Sequence, residues 1–278
     1  MSQRPYFEIE SLLEMMGKAG KRLAEMNASE GAAGNLSIGI RGQIIPEELF
    51  SIQEQIELPI CVPELSGITF LVSGSGQRLR DILDHPLATI GCLQINDEGK
   101  TGTLYTSPQR KFQKLTSEFN SHLAVHAVLM TEKALHFHSI VHAQPPYLTY
   151  LSHLTPYQEE RTLNQRLFRW QPETIIQFPE GFAVLPFAVP GSDELMRANV
   201  TALRRHKLAI WSKHGVMACS EECILKAVDY IEYAEAAARY EYLNLATGAP
   251  SAGLSVDEIL RICQAFHIQQ TVFSKPTS

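Results

Sequence analysis

Four places in this sequence bring histidine, carboxylate or small polar residues together at spacings that can do chemistry. In LTSEFNSHLAVHAVL, Glu118, His122 and His126 stand four apart and share one face of any helix formed there. That face is either solvated, with an ordinary Glu–His pair, or it carries a general base or metal ligand at Glu118. In LHFHSIVHAQPPYLTYLSH, strand residues two apart point the same way, so His136 and His138 can hold one metal ion. His142 with Gln144 offers a rival register, and histidines satisfied by backbone or water are the plain alternative to both. In IWSKHGVMA, His214 ends an apolar strand just before a glycine, where a sheet delivers side chains into a cleft. Two small-residue turns, GNLS (34–37) and VSGSG (72–76), can cradle a phosphate on backbone N–H groups and hydroxyls, or be bare turns. The second is no dinucleotide fingerprint, because Leu79 stands where a third glycine is needed.

These residues need elements to position them. Residues 7–27 predict an amphipathic helix, with Leu12, Met16, Ala19, Leu23 and Met26 spaced by three and four. Leu36, Ile38 and Ile40 alternate as in a strand. Residues 41–66 predict a loop-rich excursion, and ITFLVSGSG a buried strand running into a turn. IGCLQINDEGKTGTLY predicts a hairpin turning at 97–99. A helix is expected over 117–129, a strand over 136–141, and a helix opened by Pro145-Pro146. TIIQFPEGFAVLPF suggests a second hairpin, and KLAIWSKHGVMAC is strand-like. The clearest helix covers 221–247, with Ile224, Val228, Ile231, Ala234, Ala238, Tyr242 and Leu245 on one stripe, Ser220 as its cap and Gly248 as its end. A last helix starts at Ser255, where Ser255 and Glu258 form a capping box, and Leu254 and Ile259 a staple. The irregular interleaving with hairpins predicts an α/β chain of one domain, with a central, mainly antiparallel (mixed) sheet covered by helices. The C-terminal helices are expected over 220–248 and 255–268.

Composition narrows the classes. With 45% hydrophobic and 19% charged residues, the 278-residue chain can bury a substantial core. A net charge of −6 argues against a general nucleic-acid grip. No apolar run reaches membrane-spanning length, and MSQRPYFEIE has no basic-then-apolar leader. The five cysteines form neither a CxxC pair nor a dense framework, so a reducing, cytoplasmic location is expected.

Taken together and in order, GNLS, FLVSGSG, TSE (116–118), VHAQPPYLTYLS (141–152), ETIIQFPEGFAVLPFAVPGSDEL (173–195) and IWSKHGV (210–216) resemble the class II aldolase/adducin family. The resemblance runs from the first helix to about Ala246. It implies a mainly antiparallel sheet with helices on both faces, in a fourfold-symmetric homotetramer. It also implies one divalent metal per subunit, zinc by preference, acting as a Lewis acid. The implied reaction is reversible cleavage of a ketose 1-phosphate, of rhamnulose 1-phosphate type, into dihydroxyacetone phosphate and a small aldehyde such as lactaldehyde. Glu118 matches the family's acid/base glutamate, and Glu173 a second active-site glutamate of the rhamnulose-phosphate branch. His142 and His214 match metal histidines. PPYLTYLS follows His142-Ala143-Gln144 as the family helix follows its histidine pair, which makes His136 and His138 secondary candidates. Asn35, Ser75, Gly76, Thr116 and Ser117 match phosphate-binding positions.

Two departures stand out. Gln144 occupies the place of the second metal histidine, and its neutral carboxamide is a poorer zinc ligand than imidazole. It can ligate through oxygen, another histidine such as His138 can replace it, or the metal can be lost. Because Glu118, His142, His214 and Glu173 all remain, a retained metal is the expectation. Ala32 replaces an asparagine that contacts substrate. The departures keep two other readings open: epimerisation or decarboxylation of another sugar phosphate or sugar acid, and a non-catalytic assembly protein of the adducin kind.

Overall fold

A computed structural model of the chain describes residues 8–42, 44–248 and 250–273. The predicted first helix is α1 (Ile9–Glu25); its expected start at residue 7 lies outside the described residues, as do the chain's first and last segments. Leu12, Met16, Ala19 and Leu23 form its buried stripe, each contributing about 1–3 kcal/mol of burial.

Among the described residues, nine strands form one sheet: β1 (Asn35–Ile40), β2 (Ile52–Glu57), β3 (Thr69–Ser73), β4 (Ile90–Ile95), β5 (Thr101–Thr106), β6 (Phe137–Ala143), β7 (Ala183–Leu185), β8 (Leu208–Trp211) and β9 (Gly215–Ser220). Their order is β2-β5-β4-β3-β1-β6-β9-β8-β7. Every pairing is antiparallel except the parallel β7–β8 pair, so the sheet is mixed and mainly antiparallel, as expected. The remaining helices are α2 (Pro86–Thr89), α3 (Phe119–Glu132), α4 (Pro146–Leu151), α5 (Glu160–Leu167), α6 (Pro172–Gln177), α7 (Asp193–Leu203), α8 (Ile224–Thr247) and α9 (Val256–Ala265).

Strand alternation sorts the side chains between the two faces. Leu36, Ile38 and Ile40 of β1, Val141 and Ala143 of β6, and Val216 and Ala218 of β9 join the core under α1 and α8. On the other face, Phe70 and Val72 of β3 pack with Leu123 and Ala127 of α3, while Ile140, Trp211 and Met217 pack with Leu195 of α7. Asn35, Ser37, His138 and His142 are turned to this second face.

The structure corrects four expectations. The excursion over 41–66 contains β2, an edge strand whose IQEQIE carries almost no apolar alternation; its exposed charges protect the sheet edge instead. TIIQFPEGFAVLPF is not a hairpin: Pro172 at the first turn starts α6, Gly181 turns the chain at φ +84°, and β7 pairs in parallel with β8. KLAIWSKHGVMAC is itself a hairpin, β8–β9. The C-terminal helices are shorter than 220–248 and 255–268. Ser220 ends β9 and accepts the Glu222 N–H, while α8 is capped at Cys223 and closed by Gly248 at φ +65°. The α8 stripe holds as far as Ala238. Beyond it Leu245 is exposed and Glu241 is the buried residue. Ser255 and Glu258 do form the capping box of α9. Among the described residues no helix is long and apolar enough to cross a membrane, and all five cysteines are unpaired.

Candidate active site

Four segments meet at one end of the sheet. β1 and β6 pair with Asn35 opposite His142, so these side chains are neighbours by register. α3 begins just after Glu118, its N-cap residue, which brings that carboxylate over them. The β8–β9 turn supplies His214, with Lys213 held at φ +66°. Gly34, at φ +83°, lets the chain enter β1 beside His142: a Cβ there would lie 2.8 Å from the His142 carbonyl oxygen.

The geometry is close. Oε2 of Glu118 accepts from Nδ2 of Asn35 at 2.8 Å and lies 3.5 Å from Nε2 of His142. Oε1 of Glu118 lies 3.9 Å from Nε2 of His214. Glu118 and His142 are buried, at 4% and 2% exposure. Nδ1 of His142 is 2.8 Å from the carbonyl oxygen of Val216, which only accepts, so Nδ1 carries the proton. Nε2 is then the ring atom left facing a carboxylate oxygen. An imidazole nitrogen and a carboxylate oxygen held at that distance in a buried site can take a cation between them. Burial, then the neighbouring His142, lowers the pKa of the His214 ring, with Glu118 opposing, which favours a neutral nitrogen there. The three groups present donor atoms within 4.8 Å of one another, a set that suits a divalent ion. Trp211 stacks on His142, with centroids 4.4 Å apart and planes at 21°, and its Nε1–H donates to Oδ1 of Asn199 at 2.6 Å.

A cavity of about 230 Å³ opens beside these groups. Asn35, Ser75, Gly76, Thr116, Ser117, Glu118, His142, Gln144 and His214, all singled out in the sequence, line it together with Ala32. Its size suits a small metabolite, well below a dinucleotide. The donors around the turns are neutral, and no lysine or arginine lines the cavity among the described residues. Gln144 is anchored through its N–H to the Ala28 carbonyl oxygen at 2.8 Å.

Other expected residues lie elsewhere. Glu173 is exposed on α6, outside the cavity. His136 precedes β6, is exposed, and sits 3.1 Å from the Arg41 carbonyl oxygen. His122, His126 and His138 are fully buried between sheet and α3, which rules out the solvated-face reading of that helix. The His136–His138 pair therefore brings no two rings to one site. Trp211 was not picked out in the sequence, and Ser37, expected in a phosphate-cradling turn, lies instead inside β1, fully buried beside His122 and His126 and outside the cavity. The alternation of NLSIGI, which puts Asn35 and Ser37 on one face opposite histidines spaced by four, was the available signal for Ser37.

Comparison with known proteins shows the family. Residues 14–242 match the family described as Class II Aldolase and Adducin N-terminal domain. A rhamnulose-1-phosphate aldolase of Listeria monocytogenes is 23% identical over 92% of this chain and 93% of its own length. One of Bacteroides thetaiotaomicron is 25% identical, over 86% and 88%. The crystal structure of a sugar-phosphate aldolase from Thermotoga maritima superposes with a TM-score of 0.75 at 27% identity, covering 88% of this chain and 99% of that one. A Glu–His–His cluster at the end of a mainly antiparallel sheet, inside a match that spans most of the sequence, establishes that this chain belongs to the class II aldolase and adducin family.

Proposed function

We propose that the chain is a metal-dependent aldolase that reversibly cleaves a ketose 1-phosphate, of rhamnulose 1-phosphate type, into dihydroxyacetone phosphate and a small aldehyde such as lactaldehyde. The observation that carries this reading is Glu118 facing His142 and His214 on one side of a cavity that two small polar turns also line. The rhamnulose-1-phosphate aldolases it resembles support the substrate class.

In this reading His142, His214 and Glu118 hold one divalent cation, and zinc suits two imidazoles and a carboxylate. Gln144 can add a carboxamide oxygen. When bound, the cation supplies Lewis-acid stabilisation of charge on the substrate oxygens. The chain's own groups do the rest. The hydroxyls of Ser75, Thr116 and Ser117 and the backbone at Gly76 hold the phosphate, which fixes the reacting carbons beside Glu118. The C4 hydroxyl loses its proton and the C3–C4 bond breaks. Its electron pair stays with the three-carbon fragment, and C3 takes up a proton. Glu118 is the carboxylate that exchanges that proton. Glu173, outside the cavity, is given no step within one chain. A homotetramer in the cytoplasm belongs to the same reading.

The test is incubation of the purified chain with rhamnulose 1-phosphate and a series of divalent metals, with assay of dihydroxyacetone phosphate. Metal-dependent release that falls at least about a hundredfold in Glu118→Ala is expected. No release with any metal overturns the reading. Ala32 and Gln144, both lining the cavity, favour a second reading, epimerisation or decarboxylation of a related sugar phosphate or acid. Exclusive turnover of a pentose phosphate in a substrate panel would select it.

A further inference from the structure

A line of six side chains runs from Glu118 into the layer between the sheet and α3. Nδ2 of Asn35 donates to Oε2 of Glu118 at 2.8 Å. Oδ1 of Asn35 lies 2.6 Å from Nε2 of His122, and Nδ1 of His122 lies 2.6 Å from Oγ of Ser37. The same Oγ is 2.8 Å from Nε2 of His126, and Nδ1 of His126 is 2.8 Å from Nδ1 of His138. Two periods build this line. Asn35 and Ser37 are two apart on β1, and His122 and His126 four apart on α3; His138 stands opposite Gly39 on the neighbouring strand. Ser37 and the three histidines are fully buried.

Burial, reinforced by neighbouring rings, holds the pKa of His122 at about 3 and that of His126 well below its usual range. His138 is likewise held at about 3 by burial, with Lys133 adding to it. Each ring is therefore neutral at pH 7 and carries one N–H. The proton order then follows link by link. Asn35 gives its N–H to a carboxylate, so its Oδ1 accepts, and His122 must carry its proton on Nε2. Nδ1 of His122 is bare and accepts the Ser37 O–H. Ser37 has no second proton, so it accepts from Nε2–H of His126. Nδ1 of His126 is bare and accepts from Nδ1–H of His138. Nε2 of His138 ends the line as a lone pair, and it has no partner among the described residues. The opposite order would turn the Asn35 oxygen against a carboxylate and strand a buried N–H at His138, an orphan rarer than a bare acceptor.

We propose that Ser37, His122, His126 and His138 are positioning residues: their hydrogen bonds all point toward Glu118, lock the Asn35 amide as a donor to Oε2, and leave Oε1 to the reacting proton. The part concerning the reacting proton rests on the aldolase reading above; the direction of the line does not.

Long-range 1H–15N correlation on the full-length 15N-labelled protein reads the tautomers directly. His122 and His126 are expected as Nε2–H rings and His138 as an Nδ1–H ring. A proton on Nδ1 of His122, or exchange between its two tautomers, overturns the proposal. Kinetics gives the second readout. His122→Phe keeps bulk but loses the donor, and kcat is expected to fall about tenfold or more with KM within about twofold. His122→Gln restores an N–H near the Nε2 position and is expected to recover most of that loss. Equal losses in the two variants would reduce the line to a structural role. Should His122→Phe fail to fold, Ser37→Ala gives the same reading: a lower kcat together with a second His122 tautomer. If no aldolase turnover is found at all, the wild-type tautomers still decide the direction of the line independently.

Discussion

Nε2 of His142 and Oε2 of Glu118 face each other at 3.5 Å, and the hydrogen bond from Nδ1 to Val216 leaves Nε2 as the ring atom turned to the carboxylate. A ring nitrogen and a carboxylate oxygen at that distance in a buried site can share a divalent cation. Zinc is therefore expected to stabilise the protein, by about 2.7 kcal/mol when free zinc is a hundred times its Kd. The measurement is the thermal midpoint with and without metal. His142→Ala should abolish the shift; an unchanged shift in that variant would place the ion elsewhere.

Gln144 lines the same cavity, and the family resemblance implies an imidazole at its position. Gln144→His is expected to tighten zinc binding by about tenfold or more, since imidazole replaces a neutral oxygen donor. Competition with a chelating dye reads this directly. Equal affinity in the two proteins would mean that the side chain at 144 stays off the metal.

His122 and His138 are held neutral at a pKa of about 3, against 6.5 for an exposed ring. Their folded-state values are depressed, so the unfolded chain binds the extra protons. The stability they protect is fully present above pH 6.5 and is lost as pH falls toward 3. At pH 5 each ring costs about 2 kcal/mol. Chemical denaturation at pH 7, 6 and 5 should show this slope, and His138→Leu should flatten it by close to one proton. A variant with the wild-type slope would contradict the assignment.

Glu241, fully buried on α8, accepts from Nη2 of Arg169 at 2.8 Å, from Nε1 of Trp170 at 2.8 Å and from the Tyr157 hydroxyl. One carboxylate thus ties α8 to the segments around α5 and the turn after it. Glu241→Ala leaves a largely buried arginine unpaired and is expected to cost about 3–5 kcal/mol. Urea unfolding checks the size; a loss below about 1 kcal/mol would mean that the arginine finds water.

The sequence was legible where one period repeats without interruption. The stripe of α1, the alternation of β1 and the capping box of Ser255 and Glu258 all appear where they were expected. It was misleading where polar residues build structure. IQEQIE forms a strand because an edge needs few apolar contacts, and TIIQ forms a helix turn because Pro172 starts one. Glu118, His142, His214 and Gln144 meet only through the register of β1 against β6 and the β8–β9 turn, and no local pattern encodes that meeting. The resemblance to a family supplied it. The three interior histidines looked like surface or metal residues because spacing says nothing about which face of α3 is covered.

The chain has two tryptophans. Trp211 lies flat on the His142 ring and is 1% exposed. Trp170 belongs to the distant Glu241 cluster. An indole stacked on an imidazole responds in its emission to the electron demand of that ring, and a ligand on Nε2 of His142 raises that demand. Occupancy of the site can thus be followed as a change in intrinsic tryptophan fluorescence, with no label and no substrate, and a Trp170→Phe protein would leave Trp211 as the sole tryptophan.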